Sequence, residues 1–161
     1  MIVVADSGPL IALALIGQFD LFRSLYGQIH IPQAVRDEVV ASQGGRPGAE
    51  EVANVPWIRV SGVRDATAVQ LLRERLDLGE SQAIVLSIEL QADLLVIDEA
   101  RGRRVAEARG LNKTGTVGML VVAKKRGLVL AVTPLLDELL IKGFRMSKKL
   151  YGTTRKLAGE A

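Results

Sequence analysis

The chain has 161 residues, a net charge of +3 and 48% hydrophobic residues, with no cysteine, one histidine and only 4% aromatics. That is enough apolar material for one domain with a core of Val, Leu, Ile and Ala. It excludes disulfides, Cys nucleophiles and the usual Cys/His zinc centre. No apolar run approaches the roughly 20 residues that span a bilayer. The first residues lack a basic stretch and Asp6 interrupts their apolar run, so no signal peptide is expected and a reducing, cytoplasmic setting fits.

Residues 2–5 predict a short buried strand that stops at Asp6. Ser7-Gly8-Pro9 opens a helix, with proline tolerated in its first turn. A second short helix is expected over 19–26 and a strand over 29–31, with His30 at an edge or on the outer face. Pro32 opens a helix to about Ser42, and GGRPG at 44–48 reads as a loop. A helix at 49–54, a strand at 57–60 and a helix at 66–76 follow. Asp77-Leu78-Gly79 breaks that helix, and Glu80 begins a largely buried one. Residues 94–97 are again all apolar and run into Asp98. An Arg-rich helix, an extended piece near 111–113, a helix at 116–126 and an amphipathic helix at 134–142 complete the pattern.

From Lys142 to Lys156 there are six basic residues and no acidic one. This segment, 142–161, is a basic tail or one more helix. With a pI near 9.4 it allows a polyanionic partner without demanding one. Strands alternating with helices imply parallel βαβ units whose sheet is covered on both faces. In such sheets the active crevice lies beyond the carboxyl ends of the strands, where Asp6 and Asp98 sit.

Four acids stand out by position: Asp6 and Asp98 at strand ends, Glu38 in the helix after the second strand, and Glu80 at the head of a buried helix. Each alone is explained by capping or by an exposed helix face. Gathered at one end of a sheet, they would repel one another and raise their own pKa values unless a cation sat between them. Hard divalent cations take such oxygen ligands, and they activate water for in-line attack at phosphorus.

VVADSGPLIAL, PQAVRDEV, the block LDLGESQAIVLSIELQADLLVIDEARGRRVAEARGL and KTGTVGML together resemble the PIN-domain nucleases, in the branch close to the toxins of VapC-type toxin–antitoxin pairs. The matches spread over residues 1–127, and the central block is the most specific. The resemblance implies a PIN-like three-layer α/β fold with a central, mainly parallel sheet over 1–161. It implies a metal-dependent endoribonuclease in which Asp6, Glu38, Glu80 and Asp98 hold Mg²⁺ or Mn²⁺ and hydrolysis leaves a 5′-phosphate. Glu99 takes the place of an additional acid, to hold a further water or ion beside the four. Ser7 supports Asp6 or caps the helix. Thr114 and Thr116 approach a metal water or a phosphate, or form a turn with its cap. An antitoxin protein and a homodimer are the partners implied, besides RNA. The turn after the fourth acid, Glu99-Ala100-Arg101, departs from the best-known toxins and points to a different branch.

Arg101, Arg103, Arg104 and Arg109 begin directly after the fourth acid. They form either a phosphate cradle or a solvated helix face. Neither a G-x-S-x-G elbow, a phosphate loop nor a dinucleotide fingerprint is present. A non-catalytic PIN-like module that binds RNA or protein is the alternative. A binder, however, has no need to gather four like charges.

Overall fold

The structure, a computed structural model, describes residues 1–41 and 46–161. The expected end of a helix near Ser42 and the first half of the expected 44–48 loop lie outside the described residues. In chain order the elements are β1 (Val3–Ala5), α1 (Ser7–Leu15), α2 (Leu21–Tyr26), β2 (Ile29–Pro32), α3 (Gln33–Arg36, widening into a π-helical turn at Asp37–Ala41), α4 (Ala49–Asn54), β3 (Ile58–Ser61) and α5 (Ala66–Leu72). They continue with α6 (Leu78–Glu89), β4 (Leu94–Val96), α7 (Ala100–Ala108), β5 (Lys113–Thr114), α8 (Thr116–Lys125), α9 (Thr133–Ile141) and α10 (Lys148–Leu157).

The five strands form one parallel sheet in the order β3-β2-β1-β4-β5. Strand side chains alternate between faces, and the apolar residues divide accordingly. Val3, Ala5, Ile29, Ile31 and Val96 feed one core, closed by Leu10 and Leu13 of α1, Phe22 of α2, Met119 and Leu120 of α8, and Leu136 and Leu139 of α9. Val4, Leu95 and Ile97 feed the other, closed by Val69 and Leu72 of α5, Ile84 and Leu86 of α6, and Ala106 of α7. Burial on both faces is why β1 and β4 carry no polar residue before their terminal acids. Each fully buried Val or Leu in these cores contributes roughly 1.5–3 kcal/mol of transfer free energy.

The chain builds the sheet outward from β1 through β2 to β3, then returns to place β4 on the other side of β1. The direction of winding therefore reverses between β1 and β4. The crevice that such a reversal opens lies at the carboxyl ends of those two strands.

Two elements differ from the sequence reading, and the 142–161 segment takes the helical one of its two expected forms. The 66–76 helix stops at Leu72, and a turn then tucks Leu76 into the second core. β2 is an interior strand, and His30 shares a 3.1 Å hydrogen bond with Ser61. The basic tail is a docked helix: Ser147 caps α10 by accepting from the Leu150 N–H at 3.0 Å. Glu160 accepts from Lys124 Nζ at 2.7 Å and from the backbone N–H groups of Val132 and Thr133. Leu136 and Leu139 of α9 are fully buried, as packing against the sheet requires, while Leu140 is exposed.

Candidate active site

Asp6 follows β1 directly, and its backbone N–H donates to the Val96 carbonyl at 2.9 Å, one step past the ladder. It occupies the N-cap position of α1, yet its side chain makes no capping hydrogen bond. The side chain is buried, and its Oδ1 has no hydrogen-bond partner. A buried, unpaired carboxylate oxygen is costly unless something positive meets it. Burial pushes the Asp6 pKa up to about 8; a backbone hydrogen bond from Ser7 opposes the rise, and the Asp77, Glu80 and Glu38 charges add to it. Asp6 therefore does not cap α1 with its side chain.

Asp98 lies two residues past the end of β4 and is anchored to the start of α8, the helix after β5. Its Oδ1 accepts from the Thr116 N–H at 2.7 Å and its Oδ2 from the Thr116 hydroxyl at 2.6 Å. Burial raises its pKa, while those two bonds and the Arg103 charge oppose the rise. Gly115 gives the carboxylate its room, since a Cβ there would stand 2.5 Å from Asp98 Oδ1.

Glu38 sits in the π-helical turn, a local widening that recurs at functional sites. Ser7 donates to its Oε2 at 2.8 Å. Glu80 opens α6, whose N-cap is Asp77, accepting from the Glu80 N–H at 2.8 Å. Burial, together with the adjacent Asp77 and then Glu99, lifts the Glu80 pKa to about 7. Three of these side chains lie against Gly79. A methyl there would lie 3.4 Å from Glu38 Oε2 and 3.6 Å from both Asp6 Oδ1 and Asp77 Oδ1.

All four acids, with Asp77 and Glu99, line one cleft of about 1000 Å³. Among the described residues no three acids or histidines stand as ready ligands of a single ion, consistent with like charges holding apart. The donor set is nonetheless all oxygen, which suits a hard divalent cation. The unpartnered Asp6 Oδ1 is the atom such an ion would satisfy.

The secondary assignments sort differently. Ser7 supports Glu38 rather than Asp6. Thr116 spends both its donors on Asp98, so neither is free for a phosphate. Thr114 lines the cleft, while Glu99 lies at its rim and caps α7, accepting from the Arg101 N–H at 3.3 Å. Arg103 reaches the cleft, braced by donating to the Ile97 carbonyl at 3.0 Å. Arg101 and Arg104 do not reach it. They face a separate recess with Arg75 and Ala108, because positions 101, 104, 105 and 108 form one stripe of a 3.6-residue helix. His30 is outside the cleft.

Sequence reasoning missed two features. Asp77 enters the site, and the D-L-G-E spacing that reads as an N-cap was its signal. The far wall is built by the C-terminal segment, including Phe144, Arg145 and Leu150. Nothing local announces that docking.

A parallel α/β sheet with carboxylates converging at its switch point defines a fold of the PIN kind. The chain belongs to the PIN-domain family, whose model matches residues 2–160. PIN domains are in general nucleases, and PIN nucleases in general use divalent metals. No curated protein and no solved structure gives a significant match.

Proposed function

We propose that the chain is a divalent-metal-dependent endoribonuclease that hydrolyses RNA phosphodiester bonds. One observation carries the reading: Oδ1 of the buried Asp6 carboxylate has no hydrogen-bond partner, and the Asp77, Glu80 and Glu38 charges lie near it at the switch point. A structural acid in that position would be paired. Asp6, Glu38, Glu80 and Asp98 would hold Mg²⁺ or Mn²⁺. The bound ion supplies a nucleophilic water at neutral pH and offsets the charge that develops at the phosphate. The chain's own residues do the positioning. Thr116 fixes both oxygens of Asp98, Ser7 orients Glu38, and Asp77 starts α6 so that Glu80 enters the cleft. Arg103 offers a cation to the phosphate from the far side of Asp98. Attack at phosphorus breaks the P–O3′ bond and leaves a 5′-phosphate and a 3′-hydroxyl.

The role of toxin in a toxin–antitoxin pair belongs to the same proposal, supported by the likeness of the central block. An antitoxin would be the partner that covers this cleft.

The test is incubation of total RNA with the wild type and an Asp98→Asn variant in Mn²⁺ or Mg²⁺, with and without EDTA. Cleavage that needs the metal and disappears in the variant is expected. RNA binding without cleavage, equal in both proteins and indifferent to EDTA, would overturn the enzyme in favour of a binding module.

A further inference from the structure

The acids are only part of the cleft lining. The rest is of different chemistry, contributed by α8 and by the C-terminal segment. Val122, Leu150 and Leu157 are exposed large apolar side chains there, and Phe144 lies beside them, half-buried. Two cations line the cleft besides Arg103. Lys113 stands 3.5 Å from the exposed Glu107. Arg145 is exposed and, among the described residues, enters no ion pair. Arg145 follows directly after Phe144, on the link between α9 and α10.

The wall is held in place. Lys142 donates to the Leu15 carbonyl at 2.6 Å and to Glu138 at 3.0 Å. Tyr151 donates to Asp137 at 2.6 Å. Arg155 donates to the Glu160 carbonyl at 2.9 Å, while the Glu160 side chain clamps the far end of α10 to Lys124 and the start of α9.

We infer that the C-terminal segment is the strand-holding wall of the site. Arg145 receives a backbone phosphate that flanks the scissile one, and the apolar lining at Phe144 and Leu150 receives the base of that nucleotide. The occupant is a single-stranded polynucleotide. Cations and apolar side chains lining one cleft match a chain of phosphates carrying flat apolar bases, and a cleft of about 1000 Å³ has room for a short stretch of it. This inference rests on the nuclease reading of the acids, but its test does not need cleavage.

The experiment measures binding of a short fluorescent single-stranded RNA by anisotropy, in EDTA, over a range of salt. The proteins are the wild type, Arg145→Ala, Arg145→Lys and Lys149→Ala. Lys149 carries the same charge on α10 and lies outside the cleft lining. Arg145→Ala is expected to weaken binding about tenfold at low salt and to reduce the salt slope by about 0.7. Arg145→Lys should recover most of the affinity, and Lys149→Ala should stay within about twofold. Equal losses in Arg145→Ala and Lys149→Ala would overturn the inference by showing a diffuse basic surface, as would no loss in either or no RNA binding by the wild type. In a parallel assay with Mn²⁺, cleavage by Arg145→Ala with an unchanged KM would overturn this wall and leave the nuclease intact. Failure of the wild type to cleave, with the binding pattern as expected, would overturn the nuclease alone.

Discussion

Asp6 stands where a helix cap belongs, makes no side-chain capping bond and is buried, and its titration follows from that burial. Its pKa is raised from 3.8 to about 8, chiefly by burial. Between those values the folded chain holds a proton that the unfolded chain has released. Stability of the metal-free protein therefore falls as pH rises from about 4 to about 8 through this group. Asp6→Asn removes that slope. In EDTA at pH 8 the variant should melt above the wild type, by about 2–4 °C for each kcal/mol relieved. At pH 5 the gap should be small, and a gap of the same size at both pH values would contradict the account. Thr116→Val keeps the buried volume but deletes the hydroxyl bond to Asp98 Oδ2. Metal affinity should fall about 10–100-fold with the fold retained by circular dichroism. Asp6 and Asp98 were legible in the sequence because an apolar run that stops on a carboxylate leaves that carboxylate at a strand end. Glu38 stood out by its place in the helix after the second strand, and its match to a family pattern separated it from the neighbouring Asp37, since an acid on a short helix has no local mark. In the sequence Asp77 reads as a helix breaker, and its nearness to Asp6 depends on how α6 docks beneath β1.

At the scale of elements, rotation about a helix axis decides which arginines matter. α7 turns Arg103 to the cleft and Arg101 and Arg104 to another recess, and the sequence does not state that rotation. Arg103→Ala should lower cleavage about tenfold or more, while Arg101→Ala and Arg104→Ala should stay within about twofold; equal losses in all three would place the cradle elsewhere. The head of α6 offers a sharper separation of folding from function. Gly79→Ala puts a methyl at ordinary contact distance, 3.4–3.6 Å, from three carboxylates. The helix itself gains, since alanine favours it by about 0.8–1.0 kcal/mol over glycine. The expected result is an unchanged or raised Tm together with lost metal binding and cleavage. A variant as active as the wild type would mean that no ion uses the space over Gly79.

The whole molecule is organised by the reversal of winding between β1 and β4. It brings residues 6, 38, 80 and 98 to one edge although they are spread across more than half the chain. That convergence was inferable from strand–helix alternation, because parallel sheets put their strand ends on one side. The closing of the cleft by α10 was not, because its contacts, such as Lys124 with Glu160, join residues far apart in sequence. The Glu160 carboxyl is held well below the usual carboxylate range by its Lys124, Val132 and Thr133 donors. The latch is therefore intact at neutral pH and is lost only as pH falls through that depressed value. Glu160→Ala should speed hydrogen exchange of the α10 amides while leaving those of β1 and β4 protected. Among the described residues no helix is long and apolar enough to cross a membrane.

The most direct measurement is calorimetric titration of Mn²⁺ into the full chain at pH 8, in the wild type and in Asp6→Asn. Saturable binding by the wild type is expected, with proton release from the acid cluster, and its loss in the variant. Equal binding in both proteins, or none in the wild type, would contradict the claim that the acids at the switch point form a divalent metal site.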